Sequence, residues 1–257
     1  MRHEEKYICS EKQLVIIESR LKAVMPADIN QKGSDYRIRS LYFDTIDDRM
    51  YHESLSGAER RSKYRLRFYN MSTDYFRMER KDSIGNLKEK YSADVSMDTA
   101  LSLVNNEFIY YGSSGDGATD NGITGDGSYG NEGYGGKDNG LLRELHVLQQ
   151  TEGLHPVTVV DYRRTAFTYP VGNVRITLDR DIACTFRTEE FPDKNALLYP
   201  VMPRDRHVLE VKYDSILPGF IKSILDMGSL ERVSFSKYAY ARSVIGGNGR
   251  KEDGYEF

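Results

Sequence analysis

Residues 63–68 read Lys63-Tyr64-Arg65-Leu66-Arg67-Phe68, a cation alternating with an aromatic or apolar side chain at every step. A period of two is that of a strand, and it sends Lys63, Arg65 and Arg67 to one face and Tyr64, Leu66 and Phe68 to the other. The same division recurs in both directions along the chain. Arg2, Glu4 and Lys6 share a face of a first strand, and Arg37 and Arg39 share one of a second. Arg77, Glu79 and Lys81 fall together in 75–81, with Lys88 and Lys90 on the next run. Arg175, Thr177 and Asp179 oppose Val174, Ile176 and Leu178; Val208, Glu210 and Lys212 oppose Leu209, Val211 and Tyr213. Any one of these strands is ordinary for an antiparallel sheet with one wet face. Taken together they gather about a dozen Arg and Lys against few acids, and three of them repeat Glu-x-Lys (Glu4/Lys6, Glu79/Lys81, Glu210/Lys212) at about 6.6 Å spacing.

Closing such strands into a barrel turns the charged faces inward and leaves the apolar faces outside for helices to cover. The expected fold is therefore α+β, a closed antiparallel eight-stranded barrel or tunnel with helices packed around it. A cationic interior calls for a polyanion, since unpaired buried charge is costly. Arg offers bidentate contacts to phosphate and Lys a point charge. The few carboxylates suit a hard divalent cation, Mg²⁺ or Mn²⁺, shared with phosphate oxygens.

The rest of the chain fits this plan. Strands are read at 2–9, 35–43, 62–69, 74–81, 86–95, 156–168, 173–179, 182–187 and 207–213, joined mostly by turns. Ser10 and Gln13 form a capping box ahead of Leu14, Ile17, Leu21 and Val24, one face of a helix ending near Pro26. Helical spacing recurs at 97–104, 141–150, from Pro218 to Met227, and from Phe235 to Ile245. Between 112 and 140 lie eleven of the 22 glycines, with four Asp, one Glu and one Lys. That segment carries −4 of a chain whose net charge is −3, and its composition predicts a flexible insertion. Residues 1–246 are then one interrupted domain and 247–257 a frayed tail.

Composition narrows the function. The 257 residues are 39% hydrophobic, enough for a core, and no apolar run approaches the roughly 18 residues of a membrane span. The near-neutral net charge argues against a nucleic-acid partner. Cys9 and Cys184, far apart, and five histidines with no ligand spacing argue against a zinc site and suit a reducing, cytoplasmic setting. Glu59-Arg60-Arg61 and Arg204-Asp205-Arg206 read as solvated turns, while Asp161 and Asp179 either ligate or orient neighbouring arginines.

Seven blocks carry a family likeness: His-Glu-Glu-Lys-Tyr (3–7), Lys-Tyr-Arg-Leu-Arg-Phe-Tyr (63–69), Glu-Arg-Lys (79–81), Arg-Arg-Thr-Ala-Phe (163–167), Val-Arg-Ile-Thr-Leu-Asp (174–179), Leu-Glu-Val-Lys-Tyr (209–213) and Ser-Phe-Ser-Lys-Tyr (234–238). In this order they resemble the vacuolar transporter chaperone (VTC) domain, the polyphosphate polymerase branch of the triphosphate tunnel metalloenzymes. The resemblance implies a tunnel that binds ATP and inorganic polyphosphate or triphosphate with a divalent metal. It implies Lys6, Arg65, Arg67, Lys81, Arg164 and Arg175 as catalytic cations and Lys90 and Lys237 as further phosphate ligands, to which the charged strand faces add Lys212 and Arg39. Glu210 would hold the metal, with Glu4 and Glu79 as additional carboxylates. The superfamily's triphosphatases and cyclases begin Glu-x-Glu-x-Lys, whereas this chain has Arg2-x-Glu4-x-Lys6. That exchange of a carboxylate for a cation favours polyphosphate synthesis from ATP. Hydrolysis of tripolyphosphate or a nucleoside triphosphate, and a binding module without turnover, are the alternatives.

Overall fold

The computed structural model describes residues 2–85, 87–107, 139–228 and 230–246. Most of the glycine-rich stretch and the tail from 247 lie outside the described residues. The order of elements is β1 (His3–Ser10), α1 (Glu11–Val24), β2 (Tyr36–Asp44), α2 (Arg49–Leu55), β3 (Arg60–Tyr69), β4 (Phe76–Ile84), β5 (Leu87–Val95) and α3 (Met97–Val104). There follow α4 (Asn139–Glu152), β6 (His155–Tyr169), β7 (Val174–Thr185), β8 (Tyr199–Pro200), β9 (Arg206–Tyr213), α5 (Gly219–Leu225), β10 (Glu231–Arg232) and α6 (Lys237–Gly246).

The strands form one antiparallel sheet in the order β10-β1-β9-β7-β6-β2-β3-β4-β5, with β8 beside β7. Eight long strands are present, and two strands of two residues bring the total to ten. The runs expected at 173–179 and 182–187 are a single strand, β7. Asp181 takes a left-handed conformation at φ 53°, and the register with β6 slips between Asp161 and Arg163, so the strand bends there without ending.

The expected closed barrel is not formed. The edge of β1 away from β9 is taken by β10, through Tyr7 opposite Arg232 and Ile8 opposite Glu231. The chain beyond β10 continues along it, Val233 N–H donating to the Lys6 carbonyl at 2.9 Å. That edge of β1 is thus taken over Lys6–Ile8, β1 and β5 are not paired, and the two sides of the curled sheet meet through side chains. Lys88 Nζ lies 3.0 Å and Lys81 Nζ 3.6 Å from the Glu4 carboxylate.

Helices cover the outer face, as the apolar sides of the strands require. Leu14, Ile17 and Leu21 of α1 and Ile221 of α5 pack on Val174, Ile176, Leu178, Leu209 and Val211. On the other half, Leu41, Phe43, Tyr64, Leu66, Phe68, Phe76 and Met78 form a core with Leu103 of α3 and Leu142 and Leu145 of α4. The exception is α6, which packs against the concave face. Tyr238 stacks on Tyr42 with ring centroids 5.2 Å apart and donates its hydroxyl to the buried Asp44 carboxylate. No helix among the described residues is long and apolar enough to cross a membrane.

The start of α1 is fixed locally, as the capping box predicts: Gln13 N–H donates to Ser10 Oγ at 3.3 Å, and Ser10 N–H donates back to Gln13 Oε1 at 2.8 Å. Ser10→Ala should lower unfolding free energy by about 1 kcal/mol in urea titration, with the transition still cooperative.

Candidate functional site

The concave face is the site. Its geometry follows from register: Lys6 stands opposite Glu210, Glu4 opposite Lys212, and Lys212 opposite Arg175. Arg65 stands opposite Tyr42 on one side and Glu79 on the other. Lys63, Lys81 and Lys90 stand in one row across β3, β4 and β5. Together these side chains enclose a cavity of about 1010 Å³, whose lining holds fourteen Lys and Arg against four Glu. All six cations read as catalytic from the sequence line it, as do Lys90, Lys212, Lys237, Glu4, Glu79 and Glu210.

Each carboxylate holds several cations. Glu79, 2% exposed, accepts from Arg65 Nε at 2.8 Å and Lys90 Nζ at 3.1 Å, with Arg67 Nε 3.3 Å away. Burial alone pushes its pKa up, but the guanidinium groups of Arg65 and Arg67 and the Lys90 ammonium outweigh it and hold the carboxyl at about 2. Glu4 ties Lys6 at 3.3 Å to Lys81 and Lys88 across the seam. Glu210 sits 3.1 Å from Lys212 and 3.8 Å from Arg164. Burial opposes ionisation of Glu210, yet Lys212, Lys6 and Arg164 keep it well below the usual carboxylate range.

Asp179 settles its open reading. It is fully buried and accepts from Arg164 Nε at 2.6 Å and Nη2 at 2.7 Å, with Lys237 Nζ at 2.5 Å. It therefore orients cations. Lys237 in turn lies 4.7 Å from the centre of the Tyr162 ring, and Arg164 5.3 Å from the same ring. Arg175 is steered by Asp28 at 2.8 Å, a residue in the loop after α1 that no periodicity marks. Lys6 donates to the Phe235 carbonyl at 2.7 Å, which ties β1 to the chain entering α6.

Arg39 does not join this site. Its pairing with Asp161 of β6 puts it on the convex face, where its side chain is 1% exposed. It donates to Asp161 at 2.7 Å and to the carbonyls of Phe191 and Asp193, pinning the 188–193 segment to the back of the sheet. Two residues apart in sequence means the same face, so Arg37 and Arg39 are correctly paired; which face was open until register was known. Asp161 serves both of them. Arg61, read as part of a turn, instead lies near the start of β3 and lines the cavity, as does Lys63.

Among the described residues no three His, Cys, Asp or Glu are grouped to hold a metal alone. Glu4 and Glu210 lie diagonally on adjacent strands of the same face and feel one another's charge. Two carboxylates on one face of a cation-lined cavity suit Mg²⁺ or Mn²⁺, hard ions that complete their coordination with other oxygen ligands. Glu79, like Glu4, is held by three cations, but its side chain is 2% exposed against 9% for Glu4 and Glu210, so it offers a metal the least access.

The chain matches the VTC domain family model over residues 1–245 and belongs to that family. No curated protein matches it. Among solved structures it is similar to a Bacillus halodurans protein provisionally described as an adenylate cyclase, at 15% identity and TM-score 0.47, covering 82% of this chain and 80% of that one. It is also similar to the PH1819 protein of Pyrococcus horikoshii, at 11% identity and TM-score 0.41, covering 91% and 95%.

Two outcomes test this geometry. Because its folded pKa is depressed from 4.5, Glu79 contributes stability present above pH 4.5 and lost as pH falls toward 2. The depression corresponds to about 3 kcal/mol; Glu79→Gln should lower unfolding free energy at pH 7 and flatten its dependence between pH 5 and 2. Arg39→Met should destabilise the fold by about 3–5 kcal/mol, as expected for a broken buried pair. Its folded fraction should bind tripolyphosphate as tightly as the unmodified chain, while Arg65→Met loses affinity.

Proposed function

We propose that this VTC-domain protein carries out metal-dependent phosphoryl transfer on polyphosphate or triphosphate, lengthening polyphosphate from ATP. The observation that carries the reading is the cavity lining, fourteen cations against four carboxylates on a face that apolar logic would otherwise fill. Family membership supports activity on polyphosphate or triphosphate in general. The choice of synthesis rests on Arg2, which lines the cavity where the related hydrolases and cyclases carry a carboxylate.

In this reaction a terminal oxygen of the chain attacks the γ-phosphorus of ATP, and the bond from that phosphorus to the β,γ-bridging oxygen breaks to release ADP. The acceptor is already an anion, so no protein nucleophile is required. The protein's work is positioning and charge stabilisation. Arg65, Arg67, Arg164 and Arg175 offer planar donor forks to the equatorial oxygens, and Lys6, Lys81, Lys90 and Lys212 offer point charges. Lys237, held by Asp179, adds a further point charge from the start of α6. Glu210 and Glu4 would hold Mg²⁺ or Mn²⁺, which neutralises developing charge between phosphoryl groups. Excluding water is what separates synthesis from hydrolysis, and the helix laid over the concave face serves that end.

Purified protein incubated with ATP and Mn²⁺ should give a polyphosphate ladder on a gel, with Glu210→Ala reducing it at least 100-fold. Free phosphate without a ladder would make the chain a triphosphatase. Neither product, with ATP still raising the melting temperature, would leave a binding module.

A further inference from the structure

Lys63 stands apart from the other inward-facing lysines of the strands. Lys6, Lys81, Lys88, Lys90 and Lys212 each have a carboxylate partner within 4 Å. Lys63 has none among the described residues. Its ammonium donates to Ser236 Oγ at 2.9 Å, a neutral acceptor, and lies 6.0 Å from the centre of the Tyr238 ring. It projects into the cavity from β3 on the same face as Arg65 and Arg67, directly opposite Lys81, itself directly opposite Lys90. Like charges directly opposite on neighbouring strands repel. Glu4 relieves Lys81 and Glu79 relieves Lys90, but no carboxylate among the described residues relieves Lys63.

We propose that Lys63, with Ser236, forms a phosphate subsite of the cavity and that filling it draws one proton from solvent onto the Lys63 amine. The inference rests on the polyphosphate reading of the cavity and specifies how that cavity changes charge on binding. Ser236 is suited to the role because a hydroxyl both accepts from the ammonium and donates to a phosphate oxygen.

The charged and titratable groups facing Lys63 are Lys6 from β1, Arg61 and Arg65 from its own strand, and Lys81 from β4, with Ser236 and Tyr238 from the segment entering α6. Its half-exposed surface opens onto the cavity. Burial and then the charges of Lys6, Arg61, Lys81 and Arg65 bring the amine down to about 7. The sign follows. In the empty protein the neutral amine is favoured above that value, so folding stability rises with pH from about 7 toward the ordinary lysine range. A phosphate oxygen placed among these groups reverses the balance and restores the ammonium. Lys81, brought down to about 8 by burial against the opposing pull of Glu4, already has that carboxylate partner.

The test is calorimetric titration of the whole chain with tripolyphosphate at pH 8, in buffers of differing ionisation enthalpy, which yields the number of protons taken up. Lys63→Arg keeps a permanent charge and Lys63→Met removes it. Lys63→Arg should bind within about threefold of the unmodified chain while taking up roughly one proton fewer. Lys63→Met should lose the same proton and about tenfold in affinity, while the empty protein melts higher at pH 6. Unchanged proton number and affinity in both variants, with Arg65→Met still abolishing binding, would overturn the subsite and leave the cavity reading intact. If tripolyphosphate fails to bind the unmodified chain, both fall.

Discussion

Cations of one sign facing a common cavity repel one another, and the fold depends on how that repulsion is held in check. The answer here is a small set of buried carboxylates, each shared among two or three cations. Glu79 serves Arg65, Arg67 and Lys90; Asp179 serves Arg164 and Lys237; Glu4 serves Lys6, Lys81 and Lys88. Sharing leaves every cation partly unsatisfied. A buried carboxylate with one partner would neutralise it, whereas one with three spreads a single negative charge and preserves a positive field. That residual field is what a polyanion reads.

This arrangement also explains the inversion of the architecture. With much of the concave face given over to charge, hydrophobic stabilisation comes mainly from the convex side, where α1 and α5 cover one half of the sheet and α3 and α4 the other. The concave side admits α6 because that helix brings its own polar ties: Lys237 to Asp179, Tyr238 to Asp44, and Arg242 to Asp48 at 2.6 Å. Tyr238 and Ala241 of that helix also join Tyr42, Val160 and Val208 in a buried apolar cluster.

The fold was legible wherever one residue's face follows from its neighbour's. Alternation located β1, β2, β3, β5, β6 and β9 within a residue or two, stopped β4 three residues early and split β7 in two, and it placed the charged residues of β1, β3, β4, β7 and β9 on one face, as their register does. It could not decide Arg39, since period two names a pair of faces without saying which is inner; only the pairing with Asp161 does so. Closure was likewise invisible, because it turns on a two-residue strand, β10, too short to leave a periodic signal. Asp28 escaped for a related reason: it lies in a loop and reaches Arg175 over 147 residues of sequence. Asp179 was visible as a carboxylate on the right face, but its role as an orienting group depended on Lys237, which arrives from a helix.

The seam between β1 and the β4–β5 hairpin follows from the same economy of carboxylates. A closed barrel joins its first and last strands by backbone hydrogen bonds that salt and solutes scarcely disturb. Here Glu4 makes the junction, gripping Lys88 at 3.0 Å and Lys81 at 3.6 Å from the far side. Lys81 and Lys88 both line the cavity, so an anion that enters competes with Glu4 for the groups that hold the two edges together. Half-exposed ammonium–carboxylate contacts of this kind are individually weak and screened by salt. One side of the cavity is thus joined by exchangeable ion pairs, while the backbone pairing of β9, β7, β6 and β2 keeps Arg164, Arg175 and Glu210 in fixed register.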